Sequence, residues 1–112
     1  MKLSSTISDG AHVISVEAQR IDAAVAIQFK DDMRAETGHS SERVILDLST
    51  VEFIDSSGLG AIVAAMKQLE TDRPLDLACL TPAVDKVFRL TRMDTVFRLF
   101  PSLDAAVTSN GA

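Results

Sequence analysis

Short apolar runs that suit strands alternate with amphipathic stretches that suit helices along most of the 112 residues. The clearest run lies at 43–48, where three consecutive aliphatic residues are followed by Asp47 and then by Leu48. A nearly continuous apolar run of this length is typical of a strand that is covered on both faces. Such a strand between helical stretches predicts an α/β fold, with a mixed sheet and right-handed crossovers.

Four other segments are predicted to be strands. A β-branched run at 12–16 follows the turn signal Asp9-Gly10, so residues 2–7 and 12–16 can form a hairpin. Two further strands are expected at 75–80 and 96–100.

Four helices are expected to connect or follow these strands. The first is predicted to begin at a cap on Asp22 and to run to about Glu36, with a polar loop at 37–42 after it. Val25, Phe29 and Met33 would lie on its buried face because they recur every four residues. The other helices are predicted at 58–69, from Pro82 with Thr81 as N-cap, and from Pro101-Ser102 to about Val107.

Length and composition limit the classes of protein to which this chain can belong. One domain is expected over 1–112, with a core at about 3–108 and a frayed tail at 109–112. The net charge of −5 argues against a nucleic-acid surface, which normally carries a basic stripe. Membrane insertion is not expected, since no apolar run approaches the roughly 20 residues that span a bilayer.

The expected location is the cytoplasm. The first ten residues lack the apolar middle of a signal peptide. Cys79 is the only cysteine, so it cannot form an internal disulfide and fits a reducing compartment. Its apolar surroundings in the sequence predict a buried, small hydrophobic side chain.

Signals for an enzyme are weak, and neither a catalytic residue nor a cofactor is predicted. The G-x-S-x-G elbow of hydrolases is absent, and no cluster has the spacing of metal ligands. Gly58-Leu59-Gly60 is only a fragment of a phosphate-loop pattern. A serine hydrolase stays open as an alternative, with His12 or His39 as base, because catalytic triads assemble in space. His39 is expected to be solvated in a polar loop.

The most informative stretch is Asp55-Ser56-Ser57-Gly58-Leu59-Gly60, which precedes the strongest predicted helix. It places two hydroxyls and a carboxylate where backbone N–H groups lack partners, so helix capping is one function of this stretch. A phosphate on an exposed serine there would be favoured by the helix dipole by roughly 0.3–1 kcal/mol. The carboxylate of Asp55 would oppose it, because two anions would be close.

The segment 44–60 resembles the STAS domain of bacterial anti-sigma factor antagonists, most specifically in its strand followed by Asp-Ser-Ser-Gly-Leu-Gly. Ile21-Asp22 and the segment 80–84 fit the same pattern, and the resemblance extends over about residues 7–107. It implies a single STAS-like domain, in which a mixed sheet of four to five strands carries about four helices mainly on one face.

The resemblance also implies a partner switch. The unphosphorylated protein would bind an anti-sigma factor that is itself a serine kinase, and this kinase would phosphorylate Ser56 and so end the complex. A metal-dependent, PP2C-type serine phosphatase would reverse the modification. Many members have a glycine three residues before Asp22, where this chain has Gln19. The residues implied in partner binding are Asp22, Asp55, Ser56, Ser57, Gly58 and Leu59.

Two other properties are left open by the sequence. A STAS domain can instead serve as an accessory subunit of a lipid-transporting ABC system, where no phosphorylation switch is needed. The oligomeric state is expected to be a monomer or a weak dimer, since an edge strand can pair with another chain.

Overall fold

The computed structural model describes residues 2–38, 42–70 and 72–109. His39, predicted to be solvated, lies outside the described residues. The described strands are β1 (Leu3–Ser8), β2 (Ala11–Val16), β3 (Arg20–Ile21), β4 (Arg43–Asp47), β5 (Phe53–Ile54), β6 (Leu75–Ala78) and β7 (Leu99–Phe100). The described helices are α1 (Ala26–Thr37), α2 (Ser56–Lys67), α3 (Pro82–Leu90), a 3-10 turn (Met93–Thr95) and α4 (Leu103–Thr108).

A mixed sheet of five strands runs through the described part of the chain in the order β1-β2-β4-β6-β7. β1 is antiparallel to β2, and the other neighbours pair in parallel. A second, small parallel sheet joins β3 to β5. The predicted α/β class and mixed sheet are therefore confirmed.

Helices cover both faces of the large sheet, but unequally. Side chains of α1, α2 and α3 share one apolar core with the sheet, whereas α4 packs on the opposite face. In β4, Val44 and Leu46 point to the three-helix face and Ile45 to the α4 face, and all three are fully buried. This confirms that the central strand is covered on both sides and that the helices lie mainly on one face.

The first two strands form the predicted hairpin. Asp9 and Gly10 both have positive φ, of 48° and 79°, which suits a two-residue turn of type I′. The register pairs Ser8 with Ala11 and continues without interruption to Leu3 with Val16. β1 is an end strand of the sheet.

The predicted cap of α1 is wrong. The helix begins at Ala26, and its N-cap residue Val25 makes no capping hydrogen bond through its side chain. Asp22 instead closes a turn, in which its Oδ1 accepts from the backbone N–H of Ala24 at 3.1 Å. Short polar side chains favour such local turns over a helix because they can bond to their own backbone. At the other end, Thr37 belongs to the helix and not to the predicted loop.

Later boundaries also differ from the prediction. Thr81 precedes α3 as expected, but its hydroxyl donates to the carbonyl of Val51 at 2.7 Å and does not cap the helix. The predicted strand at 96–100 is reduced to Leu99–Phe100. Phe97 is instead buried edge-on against Phe88, with ring centroids 6.0 Å apart.

Cys79 is only partly buried, in contrast to the expectation of a buried side chain. It packs against the apolar cluster beneath α4, and its backbone has φ of 62°. Partial burial, and then the nearby carboxylate of Asp47, raise the pKa of its thiol. A raised pKa makes the thiolate scarcer and the cysteine less reactive.

A buried carboxylate ties together several elements on the α4 face. Asp76 is 1% exposed and forms ion pairs with Arg43 and with Arg98, whose Nη2 lies 2.7 Å away. Arg43 also donates to the carbonyl of Ala106 in α4 at 2.7 Å. Hydrogen bonding to Asp76 raises the pKa of Arg98. These bonds fix α4 on the sheet face opposite α1, α2 and α3.

No helix within the described ranges has the length and apolarity to cross a membrane.

Candidate functional site

The start of α2 lies against the chain segment that precedes α1. β3 and β5 pair in parallel, with Arg20 opposite Phe53 and Ile21 opposite Ile54. The residue after each strand is an aspartate, Asp22 in one case and Asp55 in the other. Parallel pairing therefore brings together two acidic positions that are far apart in sequence.

Asp55 is the N-cap of α2. Its Oδ1 accepts from the backbone N–H of Gly58 at 2.9 Å. Its Oδ2 accepts from the backbone N–H of Ala23 at 3.3 Å. The carboxylate therefore provides the helix cap, which the sequence placed in this stretch without choosing among Asp55, Ser56 and Ser57. It also holds the turn after β3 against the helix start.

We expect Asp55→Ala to lower the free energy of unfolding by about 1–2 kcal/mol, as for other lost N-caps. Asp55→Asn should cost much less, because asparagine keeps an acceptor oxygen and caps nearly as well. Urea denaturation followed by circular dichroism measures both values. Equal losses for the two variants would contradict capping as the main structural role of Asp55.

Gly58 is required by close packing and not by helix flexibility. It is buried, and a Cβ built on it would lie 2.7 Å from the carbonyl carbon of Ile21 and still closer to the oxygen. Gly60, by contrast, has nothing within 4 Å of such a Cβ. The two glycines of the motif therefore have different structural roles, and only Gly58 permits α2 to approach β3.

Both serines of the motif are exposed in the first turn of α2, Ser56 as its first residue and Ser57 as its second. Within the described residues, the Ser56 hydroxyl makes no hydrogen bond. It is therefore accessible to a modifying enzyme and to a binding partner.

The other residues predicted for partner binding are less accessible. Asp22 and Asp55 are partly buried, and Gly58 is buried. Leu59 is partly buried and packs against the main core. Among these six positions, only the two serines are exposed.

Two exposed apolar side chains near this position were not predicted from the sequence. Phe53 is 40% exposed in β5, and the guanidinium carbon of Arg20 lies 4.0 Å from the centre of its ring. Ile27 is 70% exposed and lies in the first turn of α1, four residues after Ala23. The sequence did contain a signal for Phe53. Successive side chains of a strand point to opposite faces, so a buried Ile54 places Phe53 on the other face.

We define the α2 N-terminal surface by the exposed residues of β3 and β5, of the segment 23–27 that Asp55 holds against the helix start, and of the first two positions of α2. Its apolar members could pack against a protein partner, and Arg20 is held over Phe53 by an ion pair with Asp22 at 3.2 Å. The arrangement combines apolar area with few fixed charges, which is typical of a protein-binding surface. The surface consists of Arg20, Ala23, Ala24, Ile27, Phe53, Ser56 and Ser57.

His12 does not support the serine hydrolase alternative. Its Nε2 lies 2.8 Å from the hydroxyl of Ser5, in the β1–β2 hairpin and not at Ser56. It is 4% exposed, and burial lowers the pKa of its imidazole. Among the residues that the structure describes, no group of His, Cys, Asp and Glu side chains could hold a metal ion.

Comparisons with known proteins agree with this architecture. A family model described as the STAS domain matches residues 2–106. The chain is 29% identical over 110 residues to a protein named putative anti-sigma factor antagonist BtrV from Bordetella bronchiseptica, covering 97% of this chain and 94% of that protein.

Solved structures share the fold. An anti-sigma factor antagonist from Mycobacterium paratuberculosis superposes with a TM-score of 0.86 at 29% identity, covering 99% of this chain and 94% of the other. The Bacillus protein SpoIIAA, at 19% identity, has been solved in an unphosphorylated and a phosphorylated form, with TM-scores of 0.73 and 0.65. Both superpositions include 95% of this chain. They include 93% of unphosphorylated SpoIIAA and 96% of the phosphorylated form.

Proposed function

Because the chain belongs to the STAS domain family, we propose that it is an anti-sigma factor antagonist controlled by phosphorylation of Ser56. Unphosphorylated, it binds an anti-sigma factor through the α2 N-terminal surface, and the phosphorylated form releases it. The observation that carries this proposal is the exposed Ser56 hydroxyl, held at the first position of a helix that Asp55 caps. Relatives named as antagonists supply the class of partner.

The position of Ser56 suits a reversible modification. A hydroxyl that makes no hydrogen bond within the described residues can be phosphorylated without breaking the cap, which rests on Asp55. The phosphate would lie near the N-terminal end of the helix dipole, which favours it by roughly 0.3–1 kcal/mol. Phosphorylation would therefore alter the surface and leave the fold intact.

The same phosphate would penalise a docked partner. It adds about −1.5 to −2 charges at neutral pH. In the complex, this charge would lose water beside the apolar Phe53 and would add to the negative charge of Asp55. Burying an unpaired charge at an interface costs several kcal/mol. A single modification is thus enough to separate the two proteins.

The remaining components of the proposal follow from this switch. The anti-sigma factor supplies the serine kinase activity, and a PP2C-type phosphatase restores the free hydroxyl. The chain itself acts in the cytoplasm as a binding module with no catalytic residue. SpoIIAA, solved in both phosphorylation states, is a precedent on the same fold.

Phosphosite mapping tests the proposal. We expect the purified protein, incubated with ATP and the anti-sigma factor kinase encoded nearest to its gene, to gain one phosphate on Ser56. Ser56→Ala should abolish the incorporation and leave the thermal midpoint nearly unchanged, because the Ser56 hydroxyl is not the cap. Ser57→Ala is the matched control, and it should still be phosphorylated on Ser56.

Mass spectrometry of protein isolated from its own cells provides an independent readout. A phosphate on Ser57 would show that the wrong serine is assigned. No phosphate under several growth conditions would contradict the switch and favour the accessory-subunit alternative, in which the motif only caps α2.

A further inference from the structure

The two ends of the large sheet differ in how well they are protected from pairing with another chain. At one end, β7 has only two residues, and Pro101 follows it directly. Short edge strands and proline are devices that discourage edge pairing. At the other end, β1 has six residues in an uninterrupted register with β2. The β1 end is therefore the open one.

The hairpin geometry fixes which backbone groups of β1 face outward. In a hairpin with a two-residue turn, the closing pair Ser8 and Ala11 is hydrogen bonded, and hydrogen-bonded pairs then alternate along the ladder. The N–H of Glu17 donates to the carbonyl of Lys2 at 3.0 Å, which agrees with this alternation. The N–H and C=O groups of Leu3, Ser5 and Ile7 consequently point away from β2.

β1 lacks the features that usually prevent edge pairing. Its sequence, Leu-Ser-Ser-Thr-Ile-Ser, contains no charge, no proline and no glycine. Its register with β2 contains no bulge. Ile7 is 53% exposed, so an apolar side chain lies at the edge in water. An uncharged edge without a bulge is a template for another strand.

We propose that β1 pairs with β1 of a second copy of this chain, antiparallel and with Ser5 on the two-fold axis. In this register the outward groups of Leu3, Ser5 and Ile7 meet the same groups of the second copy. Leu3 of each copy lies opposite Ile7 of the other. The two large sheets become one continuous sheet across the dimer.

Self-complementarity is the reason for choosing a second copy as the occupant. The register centred on Ser5 places apolar residues opposite apolar residues and Ser4 opposite Thr6, and no like charges face each other. At the two ends, Lys2 of one copy lies opposite Ser8 of the other, so no repulsion arises there. Cross-strand pairs of these kinds stabilise a sheet.

The interface is small, so the association is weak and reversible. Stable complexes bury about 800 Å² on each partner, which is more than one six-residue edge provides. We therefore expect a dissociation constant weaker than about 1 µM. The edge contains none of the residues of the α2 N-terminal surface, so dimerisation is independent of the proposed antagonist function.

Sedimentation velocity over low micromolar to near-millimolar concentrations tests the dimer. The weight-average mass should rise from the 12.0 kDa of one chain toward twice that value. Hydrogen exchange then identifies the interface, because the amides of Leu3, Ser5 and Ile7 should become protected as concentration rises. A constant mass would overturn the proposal. A dimer in which these three amides stay unprotected would do the same, since it would use another face.

Two substitutions test whether the β1 edge forms the dimer interface. Ile7→Lys replaces an exposed side chain and removes both Leu3–Ile7 pairs, so the dissociation constant should rise roughly tenfold or more. Ile27→Lys is the matched control, since it makes the same change at an exposed isoleucine of α1. Binding of Ile7→Lys to an anti-sigma factor should be unchanged. Equal dimerisation by the two variants would refute the β1 interface.

Discussion

Gly58→Ala should be strongly destabilising, with a loss of about 3 kcal/mol or more in the free energy of unfolding. The added Cβ would meet the carbonyl group of Ile21, which is backbone and is held in the β3–β5 pairing. Since neither strand can move without losing hydrogen bonds, α2 would have to shift away from β3. For a domain of this size, the thermal midpoint should fall by roughly 10–20 °C.

Gly60→Ala is the matched control for Gly58→Ala. It makes the same change two residues along the same helix, at an exposed position where the added Cβ meets nothing within 4 Å. Alanine is a better helix former than glycine, so this variant should gain about 0.5–1 kcal/mol. Differential scanning calorimetry of both variants measures the contrast. A small effect of Gly58→Ala would mean that the packing of α2 on β3 can relax.

The elements with strong periodicity were predictable from the sequence. The apolar run around Ile45 correctly predicted a strand covered on both faces, and the helix predicted at 58–69 is present as α2, Ser56–Lys67. The Asp9-Gly10 signal predicted the hairpin, because few other residues adopt positive φ so easily. In each case, the signal lies within the segment itself.

The features that depend on distant contacts were not predictable. β3 and β5 have two residues each, which is too short for any periodicity to appear. The structural requirement for Gly58 comes from the carbonyl of Ile21, 37 positions earlier in the sequence, and no local signal reports such a contact. Asp22 was assigned as a cap because its alternative, a local turn, uses the same side-chain chemistry.

The candidate site was predicted unevenly for the same reason. A helix cap in this stretch follows from a local motif, but the sequence left open which side chain provides it, and the bond to Gly58 assigns the cap to Asp55. The second bond of Asp55, to Ala23, depends on the fold and could not be foreseen. The role of Ser56 rests on the resemblance to antagonists and stays a prediction, because both it and Ser57 are exposed.

Phosphorylated Ser56 should weaken binding of the anti-sigma factor by about 100-fold or more, and Ser56→Glu should reproduce most of this loss. A charge at this position must lose water when the α2 N-terminal surface is covered, and such losses are worth about 2–5 kcal/mol. The stability of the fold should not fall, because the helix dipole favours an acidic side chain in the first turn. Isothermal titration calorimetry measures the affinity, and the thermal midpoint reports the fold.

Ser56→Gln separates charge from size in this experiment. Glutamine matches glutamate in shape but is neutral, so it should retain most of the affinity if charge causes the release. Thr108→Glu adds the same charge at an exposed position of α4, on the opposite sheet face, and should bind like the unmodified protein. If the Gln and Glu variants at Ser56 lost affinity equally, steric exclusion would be the cause. Unchanged affinity of both Ser56→Glu and the phosphorylated protein would exclude Ser56 as the switch, although the fold and the cap would stand.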